Sequence, residues 1–267
     1  MWIEEYTQLD AAILTQLNKL TFTNVKWLLT GDPHQSPAIF SSFRGCPVAD
    51  GAFQRSALFH RMAGGNRLTL RECKRSGAAL FDWFSSLIDA GSRAHAPLPE
   101  VIAAARRAFT FAGPADNNLV ISHTRRIAVN HRLNKLARSQ QPAEACLFLR
   151  ALPQRGQINA AQPMWLWPGL DLLACCQSEK KGLRNGVAYT VQSWDEEHVH
   201  LAGGVSLTHE QAKSWLRLAH AQTYASCQGS EFTGSLRLHC TDSPRFTRRH
   251  LFVGLSRARE ASLVSVV

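Results

Sequence analysis

Short apolar runs alternate along this chain with longer segments that have helical spacing. The helical segments carry apolar residues three and four positions apart and contain no internal proline, and they cover residues 9–20, 78–90, 101–109 and 125–138. The apolar runs have the length of buried strands and cover residues 25–29, 119–122, 170–174, 187–194 and 263–267. This alternation predicts an α/β protein with mainly parallel sheets.

Two breaks in the pattern divide these elements into domains. Gly113-Pro114 and the polar residues around them separate a helical segment from a new strand, which predicts two domains, residues 1–112 and 113–267. Residues 143–205 are rich in Gly, Pro and Trp and have short strand signals. They indicate a small β insertion in the second domain.

The composition adds an argument about charge. The 267 residues are 45% apolar, enough for a sizeable core, and carry a formal net charge of +10. This excess of cations favours a polyanionic partner such as nucleic acid, although a solvated basic surface has the same composition. No apolar run approaches the roughly 20 residues that cross a bilayer, so we expect no membrane segment and an intracellular location, nuclear or cytoplasmic. The seven cysteines form no C-x-x-C pair, which argues against a zinc site.

Carboxylates and an amide follow two predicted strands near the N-terminus. Glu4 and Glu5 come after only three residues, so the first domain is expected to be truncated within its sheet. The second strand runs into Gly31-Asp32-Pro33, and Gln35 follows two residues later. Open α/β sheets bind ligands at the carboxyl edge of their strands, so these side chains form a candidate site. The alternatives are a solvated acidic pair and a simple Gly-Pro turn.

A turn between a strand and a basic helix opens the second domain. Ser122-His123-Thr124 precede Arg125 and Arg126. Hydroxyl groups and the amides of a helix N-terminus suit a nucleic-acid phosphate, because the donors and the helix dipole both favour an anion. The alternative is that Ser122 or Thr124 only caps the helix, and the two interpretations are compatible.

Several segments together resemble the motifs of superfamily-one helicases, in the order in which that family has them. Glu4-Glu5 and "GDPHQSPAI" resemble the second and third motifs, and "LTLRECKRSG" resembles the fourth. "AHAQTYASCQGSEF" is similar to the fifth motif and "HLFVGLSRARE" to the sixth, while "KGLRNGVAYTVQSW" resembles a segment of the RecD-like branch. The resemblance extends over residues 1–267, and the chain is identified as the C-terminal portion of a RecD-like helicase.

The resemblance implies two RecA-like lobes, the first truncated at its N-terminus and the second with the small β insertion. It implies ATP and Mg2+ as cofactors and single-stranded nucleic acid as the partner, with DNA favoured and RNA as the alternative. For the nucleotide side it implies Glu4 as the carboxylate that holds magnesium through water, Glu5 as general base and Gln35 as sensor of the terminal phosphate. It implies Arg75 as a phosphate contact and Arg257 as arginine finger. The residues that shape the nucleotide site would be Gly31, Asp32, Gln228 and Gly229. It implies that Thr223 and Ser226 face nucleic acid or nucleotide, and the chemistry of the turn before the basic helix adds Thr124, Arg125 and Arg126 as nucleic-acid contacts.

The chain departs from the family pattern at three places. Glu4 stands where the family prefers Asp, and Ala225-Ser226 replace a frequent His-Lys. The sequence contains no Gly-Lys dipeptide, so it has no phosphate loop of the G-x-x-x-x-G-K-[ST] form. We therefore expect a portion of an ATP-dependent helicase that needs a missing N-terminal half carrying this loop. The alternative is a catalytically inactive remnant that binds single strands or a partner protein.

Overall fold

The structure, a computed structural model, describes residues 1–22, 24–35, 42–43, 45–49, 51–88, 91–150 and 162–267. Seven α-helices lie in these residues: α1 (Ala11–Asn18), α2 (Ala57–Met62), α3 (Ala78–Ser85), α4 (Leu98–Ala108), α5 (His123–Arg138), α6 (His209–Trp215) and α7 (Arg248–Leu255). The same residues contain fifteen short strands: β1 (Trp2–Ile3), β2 (Leu28–Leu29), β3 (Ser42–Phe43), β4 (Cys46–Pro47), β5 (Asn117–Val120), β6 (Leu147–Leu149), β7 (Met164–Leu166), β8 (Asp171–Ala174), β9 (Ala188–Trp194), β10 (His198–Leu201), β11 (Val205–Thr208), β12 (Leu216–Leu218), β13 (Ala221–Thr223), β14 (Leu236–Leu238) and β15 (Val264–Val266).

The chain forms two compact units, neither of which is continuous in sequence. Unit 1 consists of Met1–Phe109, Gln228–Thr233 and Phe246–Leu263, and unit 2 consists of Thr110–Cys227, Gly234–Arg245 and Val264–Val267. The sequence motif around α7 thus belongs to unit 1. The lobe boundary at residues 112 and 113 remains a prediction.

Unit 1 has a short parallel strand pair and several helices. β1 pairs with β2 in parallel, with Trp2 opposite Leu28. Asp10 caps α1, because its carboxylate accepts a hydrogen bond from the Ala12 amide. Aromatic contacts hold the unit together elsewhere: Phe84 on α3 meets Phe252 on α7 edge to face, with ring centroids 5.5 Å apart.

Unit 2 contains a four-stranded parallel sheet with the order β13-β5-β14-β15. Both faces of β5 are covered, because its neighbours Leu119 and Val120 point to opposite faces of the sheet and are fully buried; Leu236 and Leu238 in β14 are fully buried as well. The Ser122 side chain caps α5 by accepting a hydrogen bond from the Arg125 amide at 3.2 Å.

A second sheet of unit 2 is antiparallel and has the order β11-β10-β9-β8-β12. It lies in the region where a β insertion was expected, and its strands continue beyond residue 205 to Leu218. Its core is apolar and fully buried, with Leu172, Val199 and Leu216 among its members.

Two buried asparagines bond helix α5 to the two larger sheets of unit 2 and to the β6-β7 strand pair. The Asn130 amide group donates to the carbonyl oxygens of Leu218 and Ala221 at 3.1 and 3.2 Å, and its oxygen accepts from the Ala221 amide at 2.7 Å. One turn later, Asn134 exchanges two hydrogen bonds of 2.9 Å with the backbone of Trp165. These bonds fix which face of the helix points into the unit.

The α/β class expected from the sequence is confirmed. The parallel sheet has formed as expected, whereas the strands of the insertion are antiparallel. The helical segments at 9–20, 101–109 and 125–138 are helical with shifted ends, and residues 89–90 of the segment at 78–90 lie outside the described residues. In the part of the chain that is described, no helix has the length and hydropathy needed to cross a membrane.

Candidate functional site

The acidic pair and the Gly-Asp segment lie side by side in unit 1, because they follow two paired parallel strands. The Tyr6 amide donates to the Thr30 carbonyl at 3.0 Å, immediately beyond the pairing of β1 with β2. Glu5 has a left-handed backbone, with φ 53° and ψ 43°, at the start of a short 3-10 turn. A Cβ on Gly31 would lie 3.0 Å from Tyr6 Cδ1 and 3.2 Å from the Tyr6 nitrogen, so a side chain at position 31 would press against Tyr6.

Asp32 positions the residues that follow it. Its carboxylate accepts hydrogen bonds from the His34 amide at 2.9 Å and from Gln35 Nε2 at 3.3 Å. Gln35 Oε1 and Glu5 Oε2 are buried oxygens that make no hydrogen bond within the described residues. Glu4, by contrast, is exposed. Residues 36–39 of the third-motif segment lie outside the described residues.

The two arginines assigned to the nucleotide phosphates meet at Ser256. Arg75 donates to the Ser256 carbonyl at 3.3 Å, and Arg257 donates to the Ser256 hydroxyl from Nε at 3.4 Å and from Nη2 at 3.2 Å. Arg257 also donates to the Ser230 carbonyl at 3.2 Å and is only 2% exposed. The structure thus brings together side chains that are far apart in sequence, and it holds Arg257 in a fixed position.

The segment that contains Gln228 and Gly229 lies in the same unit and adds an acidic residue. Gly229 has a φ of 75°, and no atom lies within 4 Å of the position of a Cβ there. Glu231 forms an ion pair of 2.7 Å with Arg259 and lies 3.8 Å from Arg75. Glu231 therefore connects the fifth-motif segment to two arginines of unit 1.

In unit 2, two hydroxyl-rich turns follow neighbouring parallel strands. Thr223 at the end of β13 lies opposite Val120 at the end of β5. The Thr223 and Ser226 hydroxyls are 3.0 Å apart, and each also accepts from the other residue's amide at 3.1 Å. The Tyr224 amide donates to the Val120 carbonyl at 3.1 Å. The structure therefore places the Thr223 turn beside the Ser122 turn at one edge of the sheet.

The adjacent Arg125 and Arg126 have opposite environments. Thr124 and Arg125 are exposed, whereas Arg126 is 0% exposed. Arg126 precedes Asn130 by one helical turn and therefore lies on the same inward face of α5. The structure thus places Arg126 inside unit 2 and away from the exposed edge where Thr124 and Arg125 stand, so we leave it out of the interface proposed there.

A groove beside α5 contains Arg125 and adds Arg132 and His239, which were not candidates from the sequence. It has a volume of about 230 Å³ and is lined by Arg125, Ala128, Val129, Arg132 and His239. Burial lowers the pKa of His239 to about 4, and the charges of Arg237, Arg125 and Arg132 act in the same direction. Arg132 could have been identified from the sequence, because it follows Arg125 by seven residues and so lies on the same face of the helix. No sequence signal indicated His239, or Ser256 in unit 1.

The candidate residues thus separate into two groups. Unit 1 contains the residues that the sequence analysis assigned to the nucleotide: Glu4, Glu5, Gly31, Asp32, Gln35, Arg75, Gln228, Gly229 and Arg257. Unit 2 contains the residues that it assigned to nucleic acid: Thr124, Arg125, Arg126, Thr223 and Ser226. Among the described residues, no group of three or more His, Cys, Asp or Glu side chains could hold a metal ion on its own.

Comparison of the sequence with protein-family models and with curated proteins gives no match. The fold, however, is similar to solved structures of Pif1 helicases. Pif1 helicase from Candida albicans superposes with a TM-score of 0.63 at 16% identity, covering 100% of this chain and 72% of that chain. Pif1 helicase from Bacteroides, solved in complex with ADP-AlF3 and single-stranded DNA, gives a TM-score of 0.65 at 14% identity, covering 99% of this chain and 69% of that one.

A structure of two coordinating Pif1 helicases, which concerns the unwinding of forked double-stranded DNA, has the same TM-score of 0.65 at 14% identity and covers 99% of this chain and 68% of its own. Identities this low establish similarity of fold alone. The chain therefore has the mixed α/β fold of the Pif1 helicases, with their RecA-like lobes, over nearly its whole length.

Proposed function

We propose that this chain is the C-terminal portion of an ATP-dependent helicase and that its unit 2 holds single-stranded DNA. The observation that carries the proposal is the edge of the parallel sheet in unit 2, where the Ser122 turn and the Thr223 turn lie side by side. Exposed Thr124 and Arg125 stand at this edge. The fold similarity to Pif1 helicases supports the same function.

The chemistry of this edge suits the backbone of a nucleic acid. Hydroxyl groups, the N-terminal amides of α5 and a guanidinium group are donors, and the helix dipole adds partial positive charge. The groove then continues along α5 to Arg132, with an apolar floor of Ala128 and Val129. Phosphate contacts of this kind carry little sequence information, so binding should depend weakly on base sequence.

Unit 1 supplies the nucleotide side in this proposal. Glu4 would hold Mg2+ through water, and the ion, when bound, would neutralise charge on the phosphates of ATP. Glu5 and Gln35 would position the attacking water, Glu5 as its general base and Gln35 as the sensor of the terminal phosphate. The buried, unbonded oxygens of Glu5 and Gln35 suit this role, because each needs a donor such as an ordered water. Arg75 and Arg257, which converge at Ser256, would face the terminal phosphate.

A phosphate loop has to be added to these residues for turnover, because the sequence has no Gly-Lys dipeptide. We assign this loop to the N-terminal half of the complete helicase. An inactive remnant that binds single strands is the second candidate, and the same missing loop favours it. The two differ in whether ATP hydrolysis appears once a segment with the loop is joined to the chain.

Fluorescence anisotropy with labelled single-stranded oligonucleotides of unrelated sequences tests the binding proposal. Arg125→Ala should weaken binding to all of them similarly and make the log-log dependence on salt shallower by about 0.7, the value for one neutralised phosphate of a single strand. The control is Lys135→Ala, an exposed cation that lies about 15 Å further along the same helix. Equal effects of the two substitutions, or no binding at low salt, would refute an interface at the edge of the sheet.

A further inference from the structure

Unit 2 contains two buried arginines that lie close to a histidine. Arg126 on α5 is 0% exposed and Arg217 on β12 is 5% exposed. Within the described residues, none of the three guanidinium nitrogens of Arg126 makes a hydrogen bond, and His123 Nδ1 is likewise buried and unbonded. A buried guanidinium normally has a carboxylate or several acceptors, because an unpaired cation away from water is costly.

The topology of unit 2 explains why these side chains are neighbours. Arg126 lies one turn before Asn130, whose side chain bonds to Leu218 in the same strand as Arg217. Arg217 is opposite Leu173 in β8, and Cys175 follows this strand, with its amide donating to the Trp215 carbonyl at 2.7 Å. Helix α5, β12 and the end of β8 therefore meet around one point.

The electrostatic environment of each group agrees with this placement. Burial lowers the pKa of Arg126 to about 10, and the charge of Arg217 lowers it in the same direction. Burial also lowers the pKa of His123, with Arg126 and Arg217 adding to the effect. The Cys175 thiol acts in the opposite direction and raises the pKa of both arginines. Burial raises the pKa of the thiol itself. With a pKa of about 10, Arg126 stays charged at neutral pH.

We propose that Arg126, Arg217 and His123 form an internal binding site for a tetrahedral oxyanion of the phosphate type. Such an anion would supply negative charge and several acceptor oxygens to Arg126, and the planar fork of a guanidinium matches it through two parallel hydrogen bonds. His123 and Cys175 are partly exposed, so the ligand would approach from their side. This site differs from the exposed interface of Thr124 and Arg125, and the proposal does not depend on strand binding there.

Thermal unfolding of the whole chain tests the site, with sodium phosphate titrated against sodium chloride at constant ionic strength and pH. A site in the folded protein should give a saturable rise in Tm, about 3–6 °C at ten times the dissociation constant. In Arg126→Met the response should fall to that of chloride. The starting Tm should be unchanged or higher, because an unpaired buried cation has been removed.

The matched control is Lys135→Met, which removes an exposed cation from the same helix and should keep the full phosphate response. A wild-type response to phosphate no larger than that to chloride would overturn the proposal. So would an Arg126→Met protein that responds like the wild type.

A second measurement uses the wild-type chain and therefore does not require that a variant folds. Cys175 lies beside both arginines, so bound phosphate should slow its alkylation by iodoacetamide several-fold, as followed by peptide mass spectrometry. Cys46, which is exposed, serves as the internal reference and should react at the same rate with and without phosphate.

A short single-stranded oligonucleotide in place of phosphate distinguishes the sources of the anion. Protection of Cys175 by phosphate alone identifies a free oxyanion as the ligand, and protection by the oligonucleotide identifies a backbone phosphate. Either result supports the site. Alkylation of Cys175 that neither compound slows would show that the cluster binds no oxyanion.

Discussion

The substitution Asn130→Ala should destabilise unit 2 more than any surface change, because Asn130 joins α5 to both sheets. Its side chain is 0% exposed and makes three hydrogen bonds, to the Leu218 carbonyl and to the carbonyl and amide of Ala221. Truncation removes these bonds and leaves buried backbone groups without this partner. Each such group costs about 1–3 kcal/mol, so for three groups we expect the free energy of unfolding to fall by at least about 3 kcal/mol.

Urea unfolding measures this decrease as a shift of the midpoint at constant slope. The control is Asn66→Ala, which removes an exposed amide whose Nδ2 donates to the Gly64 carbonyl at 3.2 Å. An exposed bond of this kind contributes little, and the control should change stability by less than about 0.5 kcal/mol. If Asn130→Ala is as stable as this control, the three buried bonds do not hold α5 to the sheets, and the reasoning fails.

Three further predictions concern the other sites. Gly31→Ala should destabilise unit 1 by about 1–3 kcal/mol, because the new methyl group would lie 3.0 Å from the Tyr6 ring; thermal unfolding that matches wild type would contradict this. His239 has a folded pKa of about 4 against an ordinary 6.5, so protonation favours the unfolded chain. Stability should therefore fall by up to about 3 kcal/mol as the pH drops from 6.5 to 4, and urea midpoints of His239→Gln should lack this part of the decline. Finally, phosphate release from ATP by these 267 residues with single-stranded DNA should not exceed that of Arg257→Ala, since the phosphate loop is missing; clear excess activity in the unsubstituted chain would contradict the prediction.

Much of the architecture could be predicted from the sequence, because it depends on the spacing of apolar and polar residues along short segments. Helical spacing predicted α5, and the serine before it is the residue that caps the helix in the structure. The order of apolar runs indicated parallel strands, and parallel strands align their carboxyl ends, so the pairing of the Glu5 and Gly31 segments could be anticipated. The helix and its cap depend only on residues that are close in sequence, and the alignment of the two segments follows from the geometry of parallel strands.

The environments of Arg125 and Arg126 were decided by the tertiary structure alone. Both are arginines in the first turn of a basic helix, and the sequence offers no reason to treat them differently. Successive residues point about 100° apart around a helix, so one of them can face inward while the other faces solvent. Asn130 and Asn134 anchor α5 to the sheets and thereby turn Arg126 into the interior. The meeting of Arg75 and Arg257 at Ser256 has the same origin, because residues so distant in sequence come together only when the whole unit has folded.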